Sequence, residues 1–295
     1  CPIPFNFTSI EKCFDEETAD IYKRKLTAFA GDEPVVTIGK LRTAEDEDLR
    51  RLADFVYKNV FENYTLKQWG MLPERLGEEV MGRVPVRASY EDRYFTDKYQ
   101  GIPKSGYSAM ILNILDHPNI KVRTSYDALQ HMVVDNGSIT IDGKRIGEDT
   151  VVVYSGCIEE LLQYKFGKLP YRSLRFETEL KEAPFQPVAV VNYPNSHQYT
   201  RISQYSHFEP GHDGDEKCTV MYEYPIEYEP GSGLDAYYPV PLEENKQRYQ
   251  LYADEISSIK NFYPAGRLGS YKYINMDVAV LEGIKLAEKI ISCAE

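Results

Sequence analysis

The chain has one tryptophan, Trp69, among 295 residues, and its five cysteines form no C-x-x-C pair. Cys1, Cys13, Cys157, Cys218 and Cys293 are odd in number and scattered, which speaks against a disulfide frame or a closed zinc site. They read as reduced thiols. No apolar run is long enough to span a bilayer, so no membrane insertion is expected. "CPIPFNFTSI" lacks the basic start and apolar core of a signal peptide, and a cytoplasmic location is expected. Basic residues are in deficit: 34 Lys and Arg face 46 Asp and Glu, a formal charge of -12. That balance argues against nucleic acid as the main partner, because phosphate backbones attract cations. Phosphate-binding glycine fingerprints are missing too, with neither G-x-G-x-x-G nor G-x-x-x-x-G-K-[ST] present. "GYSAM" is not a G-x-S-x-G elbow, and no serine stands out as a nucleophile.

Tyrosine is abundant. There are 24 Tyr and 12 Phe, and a phenol joins an apolar face to a hydroxyl that suits sugar and phosphate ligands. The length allows one large domain or two ordinary ones, and 42% apolar residues suffice for a sizeable core. The first 80 residues read as helices with no strand between them. Thr8 and Glu11 form a capping box ahead of "IEKCFDEETADIYKRKLTAFA". Thr43 opens a second helix with Leu49, Leu52, Val56 and Val60 on one stripe, and a third holds Leu76 and Val80.

The pattern changes after Pro85. "GYSAMILNILDHPN" reads as a helix ended by Pro118, "IKVRT" as a strand and "SITIDGKRI" as a hairpin turning at Asp142-Gly143. "TVVVYSG" reads as a buried strand whose small end lets backbone approach a nucleotide, although many core strands end so without a ligand. "SLRFETEL", "PVAVVNYP", "YTRISQYSHF" and "CTVMYEYP" read as antiparallel sheet. Alternation places Tyr199, Arg201, Ser203 and Tyr205 on one face. Two helical stripes close the chain: Leu242, Tyr249, Tyr252, Ile256 and Ile259, then Met276, Val280, Ile284, Ala287 and Ile291.

Three stretches raise chemical questions. "HFEPGHDGDEKC" offers His207, Glu209, His212, Asp213, Asp215 and Cys218, but none of the usual metal-ligand spacings, so a turn-rich loop is expected and no metal. "MGRVPVRASYEDRYFTDKYQGIPKSGY" gathers Arg83, Arg87, Arg93, Lys98 and Lys104 among tyrosines. It reads either as a solvated face pairing Arg with Glu91, Asp92 and Asp97, or as part of an anion site. If extended, Arg83 and Arg87 project to the same side. More arginine and tyrosine recur in "LPYRSLRF", "YTRI", "AYYPV" and "GRLGSYKY", a set suited to a diphosphate. Trp69, before Gly70, is either a core residue or an aromatic on a hinged loop that stacks on a base.

The blocks "YTLKQWG", "RVPVR", "YFTDKYQGIPKSGY", "VVYSGCIEELLQYKFGKLPYRSLRFETE", "VVNYPN", "YTRI", "YEYP", "YYPV" and "GRLGSYKYINMD" resemble, in this order, those of the UDP-galactopyranose mutase family. The resemblance covers nearly the whole chain. It implies an α/β (α+β mixed) flavoenzyme with a Rossmann-like FAD-binding domain built from separated segments, a helical domain and an antiparallel sheet. Residues 5–82 would be the helical domain with a mobile Trp loop. Residues 83–102 and 168–230 would be the substrate-binding sheet, and 103–167 with 231–295 the remaining FAD-binding parts.

The family interconverts UDP-galactopyranose and UDP-galactofuranose, a precursor of cell-wall polysaccharide. Reduced flavin N5 attacks the anomeric carbon and displaces UDP. By this resemblance Arg87 and Arg201 hold the diphosphate and act in catalysis. Tyr64, Trp69, Tyr94, Arg172, Asn192, Glu223, Tyr238 and Tyr273 line the substrate pocket, and Gly266, Arg267, Asn275 and Met276 approach the flavin. Two departures bear on this. Ile274-Asn275 stands where the family usually has Tyr-Asp, so the charge of that carboxylate is missing. The glycine fingerprint that opens family members is also absent. The chain resembles their C-terminal three quarters, so weak or lost FAD binding and no turnover by this chain alone are expected. A homodimer is expected of the full-length form. The alternatives are a non-catalytic UDP-sugar-binding remnant and another FAD-dependent enzyme on the same scaffold.

Overall fold

The structure is a computed structural model that describes residues 2–76, 82, 84–135, 137–208, 211–212 and 214–294. It is a mixed α and β fold. In chain order come helices α1 (Phe7–Cys13) and α2 (Glu16–Ala30), strand β1 (Val35–Val36), and helices α3 (Ile38–Arg42) and α4 (Glu47–Val56). A π-helical stretch, Tyr57–Glu62, leads into α5 (Asn63–Trp69). Then follow β2 (Val86–Arg87), α6 (Gly106–Leu115), β3 (Met132–Asp135), β4 (Ser138–Ile141), β5 (Lys144–Arg145) and β6 (Val152–Tyr154). The long strand β7 (Tyr171–Glu182) precedes β8 (Val190–Asn192), β9 (Arg201–Gln204) and β10 (Lys217–Glu227). Last come β11 (Tyr238–Pro239), α7 (Glu243–Ser257), β12 (Phe262–Pro264) and α8 (Met276–Ala294). Among the described residues no helix is long and apolar enough to cross a membrane.

The chain divides into two compact units, Cys1–Met110 with Arg175–Pro225, and Ile111–Leu174 with Ile226–Glu295. In the first, α1 to α4 bury Ile10, Leu26, Leu41, Leu52 and Val56 completely. The helices start at side-chain caps: Asn6 accepts from the Ser9 amide, Asp15 from Thr18, Thr37 from Lys40 and Asp46 from Asp48 and Leu49. These caps correct three expectations. Thr8 lies inside α1 rather than capping it, and the helix expected to run on from Ile10 breaks at Phe14 because Asp15 caps a new one. Thr43 ends α3 rather than opening α4. A strand does interrupt the helices, since β1 pairs antiparallel with β2, matching Val35 with Arg87. Leu76 follows a short turn, Pro73–Arg75, while Val80 and Arg83 lie outside the described residues. The sheet of this unit places β9 between β8 and β10, all antiparallel. Tyr205 turns out of β9 into the turn Tyr205–His207, so the expected alternation ends at Gln204.

The second unit buries Tyr171, Tyr252, Ile158 and Ile256 at its centre. Of the expected stripe, α7 supplies Tyr252, Ile256 and the partly buried Tyr249, Ile259 is buried just past the helix, and Leu242 precedes it and lies outside the core. The β4–β5 hairpin turns at Asp142 and Gly143, both at positive φ (51° and 73°), as an Asp-Gly turn of this kind requires. β6 pairs in parallel with β12. It is not the buried strand expected, because Val151 and Val153 are exposed. "IKVRT" forms no strand, and its side chains lie exposed. No described side chain of α8 is buried; Met276, Val280, Ile284 and Ile291 are all exposed.

Candidate functional site

The register of the first unit's sheet brings three sequence-distant residues into one row. Asn192 on β8 stands opposite Arg201 on β9, and Arg201 opposite Glu223 on β10. Directly opposed residues project to one face, so the three side chains are neighbours. Arg201 Nη2 donates to Tyr64 Oη at 3.0 Å, and its Nε lies 3.5 Å from the buried Glu223 carboxylate. Thr200 Oγ1 donates to the same carboxylate oxygen at 3.2 Å. Asn192 Oδ1 is buried and has no hydrogen-bond partner among the described residues. Of the expected site residues, then, Tyr64, Asn192, Arg201 and Glu223 form one constellation around a guanidinium held in place from two sides.

Arg87 lies on the β1–β2 ribbon of the same unit. Its amide donates to Phe5 O at 2.8 Å, and its side chain is 8% exposed. Its Nε is buried without a hydrogen-bond partner among the described residues, an arrangement that costs free energy unless a ligand or water supplies the acceptor. Glu91, held down to about 2 mainly by its hydrogen bonds with Arg93, also feels the Arg87 charge. The Arg93–Glu91 pair is the solvated pairing weighed for this stretch. Tyr94 is exposed and packs edge-on against Phe95 at 4.8 Å. Trp69 closes α5, followed by Gly70 in the left-handed region, and is only 4% exposed, so it is buried in this structure rather than displayed.

The second unit gathers the other expected residues. Arg172 stands opposite Tyr238 where β7 meets β11, and burial pushes its guanidinium pKa down. Tyr238 and Tyr273 meet at right angles with centroids 5.4 Å apart, and the Arg267 guanidinium sits 5.4 Å from each ring. Arg267 also donates to the Ile274 and Tyr237 carbonyls, so it ties the stretch before α8 to the residue before β11. Gly266 has a φ of 70°, which favours glycine. Asn275 and Met276 are exposed at the start of α8, where the Asn275 carbonyl accepts from the Ala279 amide.

A cavity of about 450 Å³ opens at the C-terminal end of β6, beside Ser155 and Gly156. That is where ligands enter a parallel sheet. Its lining includes Asp127, Glu160 and Asp235 but no lysine or arginine. Three carboxylates repel a pyrophosphate, so these residues do not fit a whole flavin dinucleotide. Of the candidate metal ligands, His207 contacts the Gln186 carbonyl and His212 pairs with Asp215, while Glu209 and Asp213 lie outside the described residues. Among the described residues no group of three or more His, Cys, Asp or Glu could hold a metal.

Two features escaped the sequence. Lys67, quoted within "YTLKQWG" without a role, reaches three backbone carbonyls of the β8–β9 connection. The available signal was its place one helical turn beyond Tyr64. Glu159 is fully enclosed, accepts from Tyr171 Oη at 3.2 Å, and burial raises its carboxyl to about 7. Nothing local marks that burial.

The family model for UDP-galactopyranose mutase matches residues 59–273. A probable UDP-galactopyranose mutase of Klebsiella pneumoniae is 33% identical over 98% of this chain and 71% of its own length. The dTDP-fucopyranose mutase of Escherichia coli is 32% identical over 98% of this chain and 74% of its own. Among solved structures, a reduced UDP-galactopyranose mutase matches 95% of this chain and 72% of its own with a TM-score of 0.61. At 15% identity that likeness concerns the fold.

Proposed function

We propose, for a chain that belongs to the UDP-galactopyranose mutase family, capture of a nucleoside-diphosphate sugar in the interconversion of UDP-galactopyranose and UDP-galactofuranose. The family is one of flavin-dependent isomerases. The observation that carries this reading is the row of Asn192, Arg201 and Glu223, with Tyr64 hydrogen-bonded to the same guanidinium. Arginine offers paired donors to phosphate oxygens, and here Tyr64 and Glu223 orient it. Arg201 and Arg87 would offset charge growing on the diphosphate as the bond to the anomeric carbon breaks. Glu223 and Tyr64 hold Arg201 in orientation for that role. FAD is the cofactor the family implies. The lining of the acidic cavity brings three carboxylates and no lysine or arginine to its pyrophosphate.

That misfit favours a second reading, binding of the nucleotide sugar by this chain without turnover. Three measurements on the 295-residue chain separate the two: UDP titration by calorimetry, the visible spectrum, and ring contraction with reduced FAD supplied. Conversion would support the isomerase, and UDP binding by a colourless, inactive protein the second reading. No UDP binding would overturn both. Each lost charge-assisted bond is worth about 1.5–3 kcal/mol, so Arg201→Ala should weaken UDP by roughly ten- to a hundred-and-fifty-fold. Arg87→Lys should lose nearly as much as Arg87→Ala, because lysine lacks the fork. Wild-type affinity in Arg87→Ala or Arg201→Ala would remove the arginines from the site. The same titration with dTDP tests the nucleotide, since one relative is named for a dTDP sugar.

A further inference from the structure

The connection between β8 and β9 is closed by a hydrogen bond from the Tyr193 amide to the Thr200 carbonyl at 2.8 Å. Within it, His197 stacks on Tyr199 and Tyr193 meets both edge-on, with centroids 4.9 to 5.0 Å apart. Three of its carbonyls converge on one ammonium. Lys67 Nζ donates to Tyr193 O, to His197 O at 3.0 Å and to Tyr199 O at 2.9 Å. Carbonyl dipoles turned together repel one another unless a cation sits between them, and an ammonium with three donors matches three carbonyls. Burial lowers the Lys67 pKa, the cost of desolvating an ammonium, and carbonyls turned toward that charge oppose the cost.

The position of this loop gives the contact its consequence. It begins directly after Asn192 and ends directly before Arg201, the two residues paired across β8 and β9. Lys67 lies on α5 with Tyr64, which accepts from Arg201, and Asn63, which donates to Asn195 Oδ1 in the same loop at 3.1 Å. We propose that Lys67 is a positioning residue, an ammonium staple that locks the β8–β9 connection onto α5 and so presets Arg201 and Asn192 against Tyr64. The staple stands on this geometry alone; its effect on nucleotide affinity rests on the function proposed above.

Hydrogen exchange and UDP calorimetry on the 295-residue chain test it, with Lys67→Met, Lys67→Arg and the core variant Leu52→Ala compared. Without nucleotide, Lys67→Met should speed amide exchange roughly ten-fold or more in residues 63–69 and 193–204 together, leaving α1 to α4 protected. Lys67→Arg, which keeps charge and donors, should restore most of that protection. Leu52→Ala should lower global stability without selective loss at those two segments. Where the wild type binds UDP, Lys67→Met should weaken it about ten-fold, through a smaller fraction of competent pocket. Should Lys67→Met not fold, Lys67→Gln carries the same comparison. Unchanged exchange in either segment, or loss spread evenly through the unit, would overturn the staple. Absence of UDP binding by the wild type would overturn the function, while the exchange result still decides Lys67.

Discussion

Helices α4 and α8 carry apolar stripes of the same period, yet they meet opposite fates. Leu49, Leu52 and Val56 of α4 are buried to 3% exposure or less, packed among α1, α2 and α3. Val280, Ile284 and Ile291 of α8 are 53% exposed or more. A stripe reports that a helix has an apolar face; it does not report what covers that face. In the first unit the covering helices come from the same stretch of chain, within the first 62 residues. In the second, α7 buries Tyr252 and Ile256 beside Tyr171, and α8 stays outside that core. Apolar pattern therefore translates into stability only where packing removes surface from water.

The sharpest way to break this contrast is deletion inside the closed core. Leu52→Ala should destabilise the first unit by about 2–5 kcal/mol, the cost of lost burial plus a cavity. Denaturant unfolding followed by hydrogen exchange in each unit would measure it. A loss under about 0.5 kcal/mol would mean that the core relaxes freely and that the two helices differ little.

Next in size is the buried carboxylate of the second unit. Glu159 faces Tyr171, Cys157 and Glu160, and burial lifts it from the usual 4.5 to about 7. With the folded value above the unfolded one, its contribution is fully present below pH 4.5 and is lost as pH rises through 7. The shift corresponds to roughly 3 kcal/mol. Stability of the wild type measured from pH 4 to 8 should carry this fall, and Glu159→Gln, which cannot ionise, should lack it. Parallel profiles for the two proteins would show that Glu159 is not held neutral.

The smallest effect is expected on α8. Ile284→Ala should change stability by no more than about 0.5 kcal/mol, since an exposed side chain loses little burial on truncation. Set beside Leu52→Ala, it converts the difference in exposure into a difference in free energy. A loss of about 2 kcal/mol or more would show that α8 is covered in solution.

Much of the architecture was legible along the chain because it depends on neighbours a few positions apart. The Asp142-Gly143 turn, the stripe of α7 and the strands around Arg201 follow from turn chemistry and periodicity. The errors also have local causes. Thr8 and Thr43 resemble caps, but Asn6, Thr37 and Asp46 place their side-chain oxygens on the free amides instead. "IKVRT" has strand composition but acquires no partner among the described residues, and a lone strand leaves its backbone unpaired.

By itself the sequence determined the family, through long blocks of tyrosine and arginine in a set order, and with it the identity of Arg87, Arg201, Asn192 and Glu223 as residues to watch. Only the tertiary structure decided what those side chains meet. Sheet register, not spacing, sets Asn192, Arg201 and Glu223 in one row. Packing, not composition, encloses Glu159 and turns three carbonyls toward Lys67. Periodicity is a property of residues close in the chain, whereas desolvation and hydrogen-bond partnership arise between segments that folding brings together.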